Sequence, residues 1–481
     1  MRKSEENLLI QFVDKAQSVR RGGISFFSRF VFFAFAQVAG PNDARSAQLR
    51  TNAVLSLLFK GVGVGISLII VPVTLHYLSQ EKYGIWLTLT SLVAWFTLFD
   101  VGLGQGLRNK LAEAIARNDL SLAKIYVATT YAVLSGIACI LCLGIIIVAP
   151  LLNWAAILNA PQDLSTELRF LAVVVFLSFS VRFVTSLINV VLIADQKTWI
   201  TQAIEAIGGL ITLGGIWLVT MTPKGSLVSL GVTLSIISAF VPFVASAYFF
   251  SSSYAWLRPR ISLVRVKYFR ELASIGGKFF FLQVTFILQF SVQNILISQL
   301  IGPSEVVAYN VAFKYFSVVI MFYVTAMTPL WSAFTEAYAK EDMSWIKTTI
   351  RRVVNLWFIV AAACITMLIL SPVVYRLWVG PAVRIDFLLS VFIAFYVLVV
   401  SWNTSFTFFV NGVGKIKLQM VFAVVSALMN IPLSFLFVRY ANMGSSGIIL
   451  ATVLCILPGA ILTPMQYFKI VNGTARGIWN A

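Results

Sequence analysis

The sequence predicts an all-α integral membrane protein: twelve transmembrane helices in two parallel, pseudosymmetric six-helix bundles around a central cleft. Three observations predict it. The 481 residues are 59% hydrophobic and only 11% charged, with a mean hydropathy of +0.90. Water cannot be the solvent for that much apolar surface, so lipid must be. Apolar stretches near the roughly 20 residues needed to cross the hydrocarbon core recur at twelve places. The second half of the chain echoes the first.

Taken in order, residues 1–50 are expected to form a cytoplasmic basic tail. Its start, MRKSEENLLIQFVDKAQSVRRGG, lacks a short apolar core followed by a small-residue cleavage site and does not read as a signal peptide. The stretch at 24–40 is apolar but carries Arg29, and it reads as an interfacial helix. The spans follow at about 51–77, 84–107, 125–150, 168–193, 203–221, 227–250, 273–300, 306–333, 353–378, 387–410, 418–439 and 445–468. The expected units are an N-terminal bundle at 51–250, a basic linker at 251–272, a C-terminal bundle at 273–468 and a tail at 469–481.

Lysine and arginine set the orientation. With the N-terminal tail inside, 26 of the 36 basic residues fall in inside segments and six in outside loops (Lys82, Arg169, Lys224, Arg376, Arg384 and Arg439). The reverse orientation inverts that bias, so both termini are expected in the cytoplasm.

The duplication shows in two loops. Adding 223 to positions in LRNKLAEAIARNDLSLAK carries Leu107 to Leu330, Glu113 to Glu336, Ala114 to Ala337, Asp119 to Asp342 and Lys124 to Lys347. Later landmarks align at shifts of 217 and 219, as loop insertions would produce. Halves with an even number of spans stand the same way up, related by an axis along the membrane normal. Two such bundles leave a cleft that rocking exposes to either side. The segment LRNKLAEAIARNDLSLAK, from 107 to 124, reads as a short amphipathic helix along the inner surface that links the second and third spans. Leu107, Leu111, Ala114 and Ile115 form its apolar stripe, Glu113 and Arg117 stand at i,i+4, and Gly102, Gly104 and Gly106 permit a tight bend and close helix approach.

A charge inside the bilayer costs about 2.5–3.5 kcal/mol on insertion scales, so each needs a reason. Lys60, Arg182, Lys278 and Lys314 lie within spans, against Asp100 and Glu205 near inner span ends. The two acids are candidates for charge pairing or for coupling to H⁺ or Na⁺. At least two positive charges remain over, which points to a cavity for an anion. Lys60 and Lys314 lead that set, Arg182 offers a planar fork suited to phosphate, and Lys278 sits near enough to an end to snorkel. Gln283, Gln289, Gln293 and Asn294 on the seventh span are candidates for sugar contacts, with hydrogen bonding between helices as the structural alternative. Cys139, Cys142, Cys364 and Cys455 lie in apolar stretches, His76 is lone and interfacial, and GVGKIK at 412–417 is too short for a phosphate loop. No nucleophile constellation or metal spacing is apparent, and no enzyme activity or bound cofactor is expected.

VPVTLHYLSQEKYGIWLTLTSLVAWFTLFDVGLGQGLRNKLAEAIARND (71–119) resembles the Wzx-type oligosaccharide-lipid (O-antigen) flippases of the multidrug/oligosaccharidyl-lipid/polysaccharide (MOP) superfamily. LIGPSEVVAYNVAFKYFSVV (300–319) is similar to that family's span 7–8 region. The resemblance implies translocation of an undecaprenyl-pyrophosphate-linked oligosaccharide from the cytoplasmic to the outer leaflet of the bacterial inner membrane, for surface polysaccharide synthesis. It implies that Lys60, Arg182, Lys278 and Lys314 would meet the pyrophosphate and acidic sugars. Membrane lipid surrounds the chain, and a polysaccharide polymerase and a chain-length regulator are the protein partners it suggests. The long basic N-terminal tail departs from the family pattern. A cation-coupled multidrug-type antiporter and a peptidoglycan-precursor flippase of the same superfamily stay open as alternatives. The antiporter would want buried acids in its cleft, where here cations outnumber them.

Overall fold

A computed structural model describes residues 44–100, 102–221 and 225–480; side chains at some further helical positions, Lys278, Gln283 and Gln289 among them, lie outside the described residues. So does the proposed interfacial helix at 24–40. Among the described residues the regular structure is helical, with no strand.

The first helices are α1 (Ala44–Tyr77), α2 (Gln80–Ala94), α3 (Leu103–Ala116), α4 (Leu120–Val148), a five-residue α5 (Trp154–Leu158), α6 (Ser165–Thr185), α7 (Leu187–Ala194), α8 (Thr198–Val219) and α9 (Leu227–Ser251). After the linker come α10 (Val266–Leu300), α11 (Pro303–Ala339), α12 (Met343–Trp378), α13 (Phe387–Gly412), α14 (Lys417–Arg439) and α15 (Gly444–Val471). Ten helices among the described residues are long and apolar enough to cross a membrane, or eleven if the pair from Gln80 to Ile115, bent by 48°, is one span. The twelve read from the sequence are therefore not reached on length and composition. The helix at the seventh position, α10, is continuous over 35 residues but is not in that set.

The packing order recurs. α1 lies along α8 as α10 lies along α14, and α6 along α9 as α13 along α15. α4 meets α6 as α12 meets α13, and α8 meets α9 as α14 meets α15. Between the two sets, α2 packs on both α10 and α11.

The second span differs from the sequence expectation in a way its residues explain. Helix α2 passes into a 3₁₀ turn, Trp95–Asp100, and the chain breaks there instead of running on to 107. Gly102 takes a left-handed conformation (φ 73°), the Asp100 Oδ1 accepts the Gly104 N–H at 2.9 Å, and a new helix starts. A carboxylate at a helix N-terminus satisfies an orphan donor and suits the macrodipole. Leu103, Leu107, Leu111 and Ala114 are buried, so the apolar stripe of α3 faces protein. Gly106 lets α3 approach α10 closely: a Cβ there would fall 2.4 Å from the Leu272 carbonyl oxygen.

The echo region keeps the cap but not the break. Asn118 and Glu341, 223 residues apart, both have φ 57°. Asp119 then accepts the Leu122 N–H and Asp342 the Trp345 N–H, each starting the next helix. Asp100 and Gly102 have no such counterparts, because Tyr323 and Thr325 stand there, and α11 runs unbroken to Ala339.

Candidate functional site

Helices α1 and α8 pack as a ladder. Asn52, Ser56 and Lys60 stand four residues apart on one face of α1. Asn52 Nδ2 donates to the Gln196 carbonyl (2.9 Å), Ser56 Oγ meets Thr198 Oγ1 (3.3 Å), and Lys60 Nζ stands 3.6 Å from Glu205 Oε2. Lys60 is thus held by an acid that lies 145 positions away in sequence. The pair is loose and open, with side-chain exposures of 40% and 59%.

This pair lines a cavity of about 410 Å³. α1 contributes Lys60, Gly63 and Ser67 to its wall, α8 contributes Gln202 and Glu205, and α11 contributes Lys314 and Ser317. The wall is therefore built from both helix sets. Gly63 has open space where a Cβ would project.

Lys314 is the half-buried cation of this wall. Its Nζ donates to the Ser67 carbonyl at 2.6 Å and meets no carboxylate among the described residues. Pro72 frees one carbonyl of α1 beside that of Ser67. Proline has no N–H, so the carbonyl four residues earlier, that of Leu68, loses its helical donor. Trp378 Nε1, at the end of α12, donates to that same Leu68 oxygen at 2.8 Å. Two successive carbonyls of α1, at 67 and 68, are thus bonded from the second helix set. Sequence reading missed this, although a proline inside the first span was the available signal.

The other candidates fall elsewhere. Arg182 is exposed in the last turn of α6 and does not line the cavity. The helix of Lys278 is described but its side chain is not. Asp100 is committed to the start of α3. Gln293 is buried; its Nε2 donates to Thr452 Oγ1 at 2.7 Å and its Oε1 accepts from Tyr309. In this structure its side chain joins three helices. Asn294 bridges helices as well, donating to Ser91 Oγ and accepting from Asn310 Nδ2, both at 2.8 Å. Gln289 lies outside the described side chains.

At the end where α1 meets α2 the two helix sets are tied by hydrogen bonds. Gln80 Nε2 donates to the Ser304 carbonyl (2.9 Å) and Asn159 Nδ2 to the Ser298 carbonyl (2.7 Å). Ser298 Oγ and Gln299 Nε2 donate back to carbonyls of α5, at Leu158 (2.8 Å) and Ile157 (2.6 Å). Short helix α5 is thereby fastened across the end of α10. At the opposite end a second cluster ties α3 to α10: Lys110 Nζ lies 2.6 Å from Glu271 Oε1, and Tyr126 donates to the same oxygen at 3.1 Å.

A family model described as polysaccharide biosynthesis protein matches residues 49–335, more than half of the chain. An O-antigen export protein of Yersinia pseudotuberculosis is 25% identical over 368 residues, covering 74% of this chain and 81% of that relative. An O-antigen transporter of Salmonella typhi is 22% identical over 386 residues, covering 78% and 86%. Among solved structures, a multidrug resistance MATE family transporter of the MOP superfamily in an inward-facing conformation superposes with a TM-score of 0.72 at 13% identity, covering 88% of this chain and 98% of that one. A MOP superfamily transporter from Pyrococcus furiosus gives 0.64 at 13% identity, covering 95% and 100%. At such identity the likeness establishes the fold, that of the MOP transporters.

Proposed function

The chain belongs to the polysaccharide biosynthesis protein family, and on that premise we propose that it is a flippase for a lipid-linked oligosaccharide. The cargo is an undecaprenyl-pyrophosphate-linked glycan, carried from the cytoplasmic to the outer leaflet of the bacterial inner membrane by alternating access, for O-antigen or related surface polysaccharide. The moving units are the helices of 51–250 and of 273–468, joined by 251–272, with both termini cytoplasmic. The names of the O-antigen relatives support the cargo class.

One observation supports the mechanism above others: Lys314 sits in the cavity wall bonded to a carbonyl, with no carboxylate of its own among the described residues. Lys60 brings a second positive charge and Glu205 one negative charge, so the described wall is net cationic. A cationic cleft offsets the cost of drawing a diphosphate through low dielectric, while the polyprenyl tail stays in lipid. Ammonium groups act there as point charges for phosphate. Ion coupling, by H⁺ or Na⁺, would act through Glu205, the acid on that wall. A polymerase and a chain-length regulator are the partners such a cargo would be handed to.

The test is complementation. A strain lacking its own flippase, with a defined surface glycan, regains surface polymer when this chain is supplied and fails to with Lys314→Ala, at equal membrane abundance. Full export by the Lys314→Ala variant would remove the cavity from the mechanism. No polymer with the unaltered chain, across strains of differing glycan, would remove the cargo class.

A further inference from the structure

We propose that the connection between α9 and α10 is a docking surface for the headgroups of anionic membrane lipids. It starts at the end of α9, a helix long and apolar enough to cross a membrane, and runs into the charged first turn of α10. Its sequence is one-sided. No acid occurs between Glu205 and Glu271, while Arg258, Arg260, Arg265, Lys267 and Arg270 fall within thirteen residues. All five are exposed. Between them Ile261 is 93% exposed and Val266 78% exposed.

Single exposed apolar residues are ordinary and prove little. Here two of them project from a segment that the protein holds in place. Leu257 is fully buried and Tyr254 nearly so, with the Tyr254 hydroxyl donating to Asp195 Oδ2 at 2.6 Å. The Arg265 N–H donates to Thr129 Oγ1 at 3.2 Å, and its guanidinium to the Ser262 carbonyl at 2.8 Å. The 3₁₀ turns Ala255–Leu257 and Ile261–Leu263 rest against α4. A fixed loop that presents an isoleucine and a valine flanked in sequence by exposed cations matches the headgroup boundary in both respects. The aliphatic groups gain by entering the acyl margin, and the cations gain against lipid phosphate. Guanidinium groups suit that phosphate because they bind two oxygens at once. The cavity and its cargo play no part in this inference.

The experiment uses the full chain in vesicles of phosphatidylcholine, alone or mixed with phosphatidylglycerol. Ile261→Cys carries a polarity-sensitive fluorophore, and the unsubstituted chain supplies the background from the four native cysteines. Emission should shift to the blue only with phosphatidylglycerol, and revert near 1 M salt, where screening acts within about 3 Å. In detergent, native mass spectrometry should show phosphatidylglycerol retention falling about fivefold for each basic residue removed along the series R258Q, R260Q and K267Q. R258K/R260K should keep most of it, which separates charge from misfolding. Equal emission in both lipids, or undiminished retention by the triple variant, would overturn the proposal.

Discussion

Gly84 of α2 and Pro303 of α11 stand so close that a Cβ on Gly84 would fall 1.7 Å from the Pro303 carbonyl oxygen. No side chain fits that gap, and the obstacle is backbone. With the Gln80–Ser304 bond beside it, this contact fixes how near the first helix set can come to the second at that end. Gly84→Ala should therefore force the two helices apart, costing about 1–3 kcal/mol as overpacking does. Gly63→Ala, which meets open space in the cavity wall, should cost far less. Thermal melts of the two variants in detergent check the contrast. Similar melting temperatures would mean that the Gly84 contact is not made in solution.

The cavity cations should differ in rank. Lys314 has no acid to lose, so Lys314→Ala removes charge from the wall and should lower polymer export at least tenfold. Lys60 and Glu205 neutralise each other, so K60E/E205K preserves the pair and should export better than either single exchange. A mutant series scored for surface polymer at matched abundance tests this. If K60E alone exported as well as the double exchange, the pair would have no part in the cavity.

That ranking also marks what the sequence could and could not convey. Periodicity was enough for most of the helices and their order, and the 223-residue echo matched Asp119 with Asp342 without showing that both cap helices. The sequence also placed Lys60, Glu205 and Lys314 as charges needing a reason. It could not pair Lys60 with Glu205, since that depends on how α1 lies along α8. It carried the second span past Asp100, because hydropathy alone does not register a carboxylate capping the helix that Gly102 begins. Nor could it show the partners of Gln293, Tyr309 and Thr452, which come from two other helices.

Gln293 should accordingly behave as a stability residue. Gln293→Leu leaves the buried Tyr309 hydroxyl without its acceptor, at a cost of about 1–3 kcal/mol, while Thr452 keeps its bonds with Asn430 and Ile448. The loss should appear in the melting temperature. It should weaken export to the same degree for every glycan tested. Selective failure on one glycan at an unchanged melting temperature would restore a sugar contact.

The Lys110–Glu271 pair lies outside the apolar span of α10 and gives a pH signature. The hydrogen bond from Lys110, reinforced by that from Tyr126, holds the Glu271 carboxyl below its ordinary range. A depressed acid contributes stability above its unfolded value, about 4.3. That contribution fades as pH falls through the lower folded value. At 39% side-chain exposure the pair is screened and should be worth about 0.2–1 kcal/mol near neutrality. The stability gap between the unaltered chain and Glu271→Gln should be present at pH 7 and close below about pH 4. A gap that stayed constant with pH would assign the effect to packing.

The bond from Trp378 to Leu68 offers the sharpest test of how the two helix sets are joined. Pro72 removes the backbone donor that Leu68 would otherwise use, and the indole takes its place across a sequence separation of 310. Trp378→Phe keeps most of the ring but strands a carbonyl, at about 1–3 kcal/mol. With Pro72→Ala the backbone N–H returns, Leu68 is satisfied within α1, and the same Trp378→Phe exchange should cost only the lost ring area. A double-mutant cycle measured by thermal melting should therefore show coupling well above the roughly 0.3–0.5 kcal/mol scatter of independent sites. Strict additivity would mean that the proline-freed carbonyl and the indole do not depend on each other.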